Sequence, residues 1–261
     1  MSDEDFIIEL FVRVDDRMLD IKKHSQALLY PSEVATLVIL FTLKGKKGRP
    51  FYRWVERNWR HLFPKLPERT RLFRLFKTHQ DWAACFLADP TILGVIASSG
   101  IELIHPIREG RSPNQCGKKG ISNHRWIVGG KLCLILNQWG QIAAWDCATA
   151  NVHDSAFHPV IQELDGQMIV FGDTSFHAKN GDPPNLKVCK RGEHNFRMLI
   201  ETVLSMLTTV CDFKKLFHRV WDYFKAHLGW MMATFNILTG WNGLLPDEDG
   251  FIKLSIADFS L

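Results

Sequence analysis

A change of hydrophobic period near Pro90 constrains this chain more than any other feature. Before it, apolar residues recur at helical spacing, with Phe6, Ile7, Leu10, Phe11, Val14 and Met18 forming one face. Pro31-Ser32-Glu33 reads as a helix start, with Val34, Leu37, Leu40 and Phe41 behind it. The turn-like run Lys44-Gly45-Lys46-Lys47-Gly48-Arg49-Pro50 follows, and the spacing then predicts short helices over 51–63 and 68–76. After Pro90, short runs rich in β-branched residues take over at 92–96 and 101–104. Residues 125–136 and 141–145 predict two further strands, joined by the turn Asn137-Gln138-Trp139-Gly140 into a hairpin. Residues 154–164 predict a helix, 168–171 a buried strand, and 195–210 and 217–238 two helices. The order β-β-β-α-β-α suits an α/β fold with a mixed sheet flanked by helices. The chain divides on this pattern into a helical, basic region (1–88), an α/β region (89–240) and a tail (241–261).

With 46% apolar residues among 261, the chain can bury a sizeable core and is not disordered. Its longest apolar runs are too short to span a bilayer, and the acidic start MSDEDFIIEL lacks the basic segment of an export signal. The expectation is a soluble, cytoplasmic protein with no membrane partner. Six cysteines without a CxxC pair then read as free thiols. A zinc site drawn from Cys116, Cys133 or Cys147 with a nearby histidine has no ligand pair at finger or ribbon spacing.

The net charge of +4 hides a strong asymmetry. From Lys44 to Lys77, twelve Lys and Arg face only Glu56 and Glu68, a net +10 against about −6 for the remainder. Such a concentration is the footprint of a polyanion partner. Phe51, Tyr52, Trp54, Trp59 and Phe73 interleave with these charges, either to meet nucleic acid or as the packed side of amphipathic helices. Lys46, Lys47, Arg49, Arg53, Arg57 and Arg71 are the candidate DNA contacts here.

Chemistry concentrates further on. Ile169-Val170-Phe171-Gly172-Asp173 ends an apolar strand on a carboxylate, where sheets place ligands. Alone, Asp173 would more often be a turn or cap residue. Glu201 changes that balance: it shares a helical face with Arg197, Ser205 and Thr208, a polar stripe on an otherwise apolar helix. Arg197 could pair with it structurally, or Asp173 and Glu201 could hold a hard divalent ion such as Mg²⁺.

Three stretches carry a resemblance. They are Asp173-Thr174-Ser175-Phe176-His177, then Gly181-Asp182-Pro183-Pro184-Asn185-Leu186-Lys187 with Lys190-Arg191-Gly192-Glu193, then Asn195-Phe196-Arg197-Met198-Leu199-Ile200-Glu201-Thr202-Val203. Together they resemble the second half of a bacterial insertion-sequence transposase of the DDE class, and Arg197 and Glu201 match that family's R-x3-E element. Ile101-Glu102-Leu103-Ile104-His105-Pro106, the segment 221–228 and Phe235-Asn236 are similar to the family too, so the likeness runs over about residues 1–240. It implies an RNase H-like catalytic domain preceded by a helical region, with Mg²⁺ or Mn²⁺ held by Asp173 and Glu201 and catalysis shared with Arg197. The implied activity is cleavage and strand transfer on double-stranded DNA, both element ends and target, with Lys187, Lys190 and Arg191 tracking phosphates. Pairing two element ends would suit a homo-oligomer.

Two departures stand out. The family's first aspartate belongs on the strand around 93–100, and by register Ala97 occupies its place. Glu102 lies at an odd offset from Ala97, on the opposite strand face, and Asp89 precedes the strand. The Tyr and Lys that flank R-x3-E in the family correspond to His194 and Thr208. The alternative reading is therefore a catalytically impaired, transposase-derived DNA-binding protein. A related nuclease acting on other DNA is a third. His105, His124, His153 and His177, and the Trp221, Trp230 and Trp241 series, read as structural.

Overall fold

A computed structural model describes residues 1–45, 47–122, 124–190, 196–244, 254–256 and 259, excluding the side chains of Phe196 and Arg197. The helical start is as the spacing predicts. Helix α1 (Asp3–Arg17) opens on a reciprocal cap between Ser2 and Asp5 and buries Phe6, Ile7, Leu10 and Val14. Helix α2 (Pro31–Lys44) begins with Pro at its first turn, and Glu33 reaches back to the Tyr30 amide at 2.6 Å. It stops at Gly45, whose left-handed backbone (φ +56°) only glycine adopts without strain. Helices α3 (Gly48–Asn58) and α4 (Arg69–Thr78) follow, and a 3-10 segment over Gln80–Phe86 leads into the sheet.

The sheet has six strands: β1 (Leu93–Ile104), β2 (Lys118–Ser122), β3 (Arg125–Asn137), β4 (Ile142–Thr149), β5 (Ile169–Gly172) and β6 (Leu186–Val188). Its order is β2-β3-β1-β5-β6, with β4 also on β3. Strands β2 and β4 share one edge of β3 in succession, β2 along 125–129 and β4 along 130–136. Chains crowd at that handover, and a Cβ on Gly129 would run into the Ile101 carbonyl. The β1–β3, β2–β3 and β3–β4 pairs are antiparallel; β1–β5 and β5–β6 are parallel.

Several expectations change. The two runs at 92–96 and 101–104 are one continuous strand, because Ser98, Ser99 and Gly100 stay paired with Cys133, Leu132 and Lys131. Strands β2 and β6 lie in stretches that read as connections. The helix expected over 154–164 is a 3-10 turn at Asp154–Phe157 and a short α5 (His158–Gln162). Helix α6 (Phe196–Val210) is as predicted, and α7 runs Trp221–Asn242.

Alternation along β1 separates two cores. Val95, Ile101 and Leu103 join a large core built with all the long helices, and Ala97 packs against it. Ile96 faces a smaller core with Cys133, Ile135, Phe157 and Val170. Helix α7 closes the large core. Trp230 is fully buried and donates to the Phe76 carbonyl at 3.2 Å. Asn236 accepts from the Ile142 amide at 2.9 Å and donates to the Ile142 and Phe86 carbonyls at 2.8 and 3.0 Å. That one side chain supplies the start of β4 with the partners its buried backbone needs. No helix among the described residues is long and apolar enough to cross a membrane. All six cysteines are unbridged, and burial pushes Cys147 and Cys211 up to about 12.

Candidate functional site

Connections leave β1 toward β3 on one side and β5 toward β6 on the other. Such a divergence is where open sheets place ligands, although β1 here runs on to Ile104, well past the level at which β5 ends. Asp173 stands there, one residue beyond β5. Its Oδ1 accepts the Ser175 amide at 2.8 Å and the Ser175 hydroxyl, capping the 3-10 turn Thr174–Phe176. The capping role and the placement at a strand end thus hold together.

The β1–β5 register pairs Leu93 with Ile169, Gly94 with Val170 and Val95 with Phe171. Continued by two residues, it sets Ala97 level with Asp173. Both then belong to the sheet face that carries the large core, since Val95 lies in it and Ala97 packs against it. Helix α6 covers this same face through Ile200, Val203, Leu207 and Val210. Glu201 follows Ile200 directly and is exposed, as are Met198, Thr202, Ser205 and Thr209, so the picture of a narrow polar stripe on an otherwise buried helix is corrected to a helix with one broad face in solvent.

Other acids near Ala97 are committed elsewhere. Glu102 falls on the opposite face, as its offset predicts, 3.9 Å from Arg125. Asp154, also across the sheet, accepts from Lys131 Nζ at 2.8 Å and Ser98 Oγ at 2.9 Å. No group of three or more His, Cys, Asp or Glu among the described residues is arranged to hold a metal ion. Carboxylates suit a hard divalent cation, and Asp173 and Glu201 are two such donors. Among the described residues, these two do not by themselves complete such a site.

Lys46 and Arg191 lie outside the described residues, as do Gly192, Glu193, His194 and Asn195; the Arg197 side chain does too. Arg49, Arg53 and Arg57 are exposed and fall at i, i+4 and i+8 along α3, one continuous stripe. Lys47, Arg71 and Arg74 are exposed nearby. The interleaved aromatics belong to the packed side: Phe51 is buried, and Tyr52, Trp54, Trp59 and Phe73 pack against the large core. Lys187 pairs in register with Phe171, so it shares the Asp173 face, and Lys190 is exposed just beyond β6.

One constellation escaped the sequence reading. His177 Nδ1 lies 2.7 Å from Asp182 Oδ2, and the Ala178 amide donates to Asp182 Oδ1 at 2.8 Å. Hydrogen bonds from His177 and then Ala178 hold the Asp182 carboxyl below its ordinary range. The only local signal was an Asp following Gly181 in a turn. Two cavities, of about 310 and 240 Å³, lie instead among the helices, at Phe41, Phe73 and Tyr223 and at Phe11, Tyr30 and Leu62. Asp173 and Glu201 sit on open surface. No protein-family model and no curated protein matches this chain.

Proposed function

We propose that this chain is a DNA transposase of the DDE insertion-sequence class with an RNase H-like catalytic domain, and that the copy as it stands binds DNA but cleaves it weakly or not at all. The observation that carries the reading is the register of β1 against β5: extended two residues past the Val95–Phe171 pair, it puts Ala97 level with Asp173 on the sheet face whose core α6 also joins. A site with carboxylates on two neighbouring parallel strands and on the following helix is what the resemblance requires. The one position it lacks is the one where alanine stands.

Mg²⁺ or Mn²⁺, when held between such carboxylates, would stabilise the charge that develops on phosphate oxygens during strand cleavage. The chain's own residues do the rest. Asp173 and Glu201 are anchored on different elements, so their separation is set by the packing of α6 on the sheet. With position 97 uncharged, one donor is lost and the two remaining carboxylates hold a cation less firmly. Lys187 and Lys190 border the Asp173 edge, and the α3 stripe of Arg49, Arg53 and Arg57 supplies a longer track for double-stranded DNA. An open surface suits a duplex backbone better than an enclosed pocket does.

Ala97→Asp is the direct test. The full-length variant, incubated with a duplex carrying the element's ends and Mn²⁺, is expected to nick it, and adding Asp173→Ala is expected to abolish nicking. Robust nicking by the unaltered chain would contradict the impaired reading and restore the plain transposase. An Ala97→Asp chain that binds DNA but never nicks would sink the register argument.

A further inference from the structure

We propose that the His177–Asp182 pair is placed as the general base for hydrolysis of DNA at the Asp173 edge once position 97 carries a carboxylate, with His177 Nε2 as the atom that receives the proton. The inference rests on the carboxylate site argued above and extends it to a residue pair that the resemblance does not assign.

The geometry fixes the tautomer. Asp182 accepts through both oxygens, from His177 Nδ1 at 2.7 Å and from the Ala178 amide at 2.8 Å. A carboxylate has no proton to give, so Nδ1 carries the hydrogen, and in the neutral ring the lone pair is then at Nε2. Asp182 is itself held in place. His158 Nε2 donates to the Phe176 carbonyl at 2.6 Å and stands 3.9 Å from Asp182 Oδ1. The Asp182 side chain is 22% exposed and that of His177 60% exposed, so the imidazole is the more open of the two. A base oriented by a third group, with its basic nitrogen open to a reactant, is the arrangement that proton transfer needs.

Position ties the pair to the site. Asp173 caps the 3-10 turn whose last residue is Phe176, and the His177 amide closes that turn onto the Thr174 carbonyl at 3.3 Å. Asp173 and His177 are thus the two ends of one tight turn. In the step proposed, Nε2 takes a proton from water as the water oxygen bonds to phosphorus. The P–O3′ bond breaks, and the 3′ oxygen leaves with a proton from solvent. The ends are a 3′-hydroxyl and a 5′-phosphate, and His177 then returns its proton to solvent.

The full-length Ala97→Asp chain, with Mn²⁺ and the element-end duplex, is the reference. His177→Ala in that chain is expected to slow nicking about 100-fold with DNA binding unchanged, and imidazole in the buffer to restore part of the rate. Asp182→Asn is expected to slow it without imidazole rescue. In the metal-free unaltered protein, ¹⁵N NMR is expected to show His177 protonated at Nδ1. A His177→Ala chain that nicks as fast as its parent, or a His177 protonated at Nε2, overturns the general base while the carboxylate site stands. A reference chain that never nicks overturns both.

Discussion

His227 of α7 stacks on Phe41 of α2, with ring centroids 5.2 Å apart, and its Nδ1 lies 2.9 Å from His218 Nε2. Its other ring nitrogen is buried without a partner. Burial pushes His218 down to about 4 and His227 down to about 3, with His218 adding a smaller repulsion on His227. Both values lie below the unfolded value, near 6.5. The folded state therefore resists protonation, and stability is complete above that value and falls as pH drops toward 4. Each pH unit in this window removes about 1.4 kcal/mol per histidine, so denaturant unfolding at pH 5 should show a loss on the order of 2 kcal/mol per histidine relative to pH 7.5. His227→Phe keeps the stack on Phe41 and should flatten the dependence by about half. An equal pH dependence in the variant and the parent would show that this pair does not couple the helices to protonation.

At the scale of elements, α3 and α4 carry the electrostatics. Their apolar sides enter the large core through Phe51, Val55, Leu72 and Phe76, leaving Arg49, Arg53, Arg57, Arg71 and Arg74 outside. Each arginine that neutralises a phosphate adds about 0.9 to the salt slope of duplex binding. Arg53→Ala with Arg57→Ala should therefore lower that slope by roughly 1.8, measured by fluorescence anisotropy across salt. An unchanged slope would remove the α3 stripe from the interface. These helices were readable because their period is local. Strand β2 was not: it spans five residues, two of them lysine and one glycine, and only β3 makes it a strand. Strand β6 has three residues and depends in the same way on β5. Ser98-Ser99-Gly100 looks like a break in β1, yet β3 holds it in register. Asp173 just past a strand and Glu201 on a helix were legible because strand ends and helix spacing are local properties, whereas Ala97 was singled out by the resemblance alone. The exposure of Glu201 and the meeting of His177 with Asp182 were not, since both depend on how segments pack.

Across the whole molecule, the helices and the larger face of the sheet share one core, closed by α7. Trp230 and Asn236 bridge from α7 to the end of α4, to the 3-10 segment and to β4. These bonds tie the end of α4 and the 3-10 segment to the sheet. Extended by two residues, the β1–β5 register in the same frame puts position 97 level with Asp173. The central claim is that positions 97, 173 and 201 make one cation site with one ligand missing. Mn²⁺ binding followed by electron paramagnetic resonance tests this without DNA. Altering groups that merely orient metal ligands changes affinity about 10–100-fold, so restoring a ligand should do at least as much. Ala97→Asp is predicted to bind Mn²⁺ at least about tenfold more tightly than the unaltered chain, and Glu201→Gln is predicted to cancel the gain. Equal Mn²⁺ affinity with alanine and with aspartate at position 97 would contradict the account.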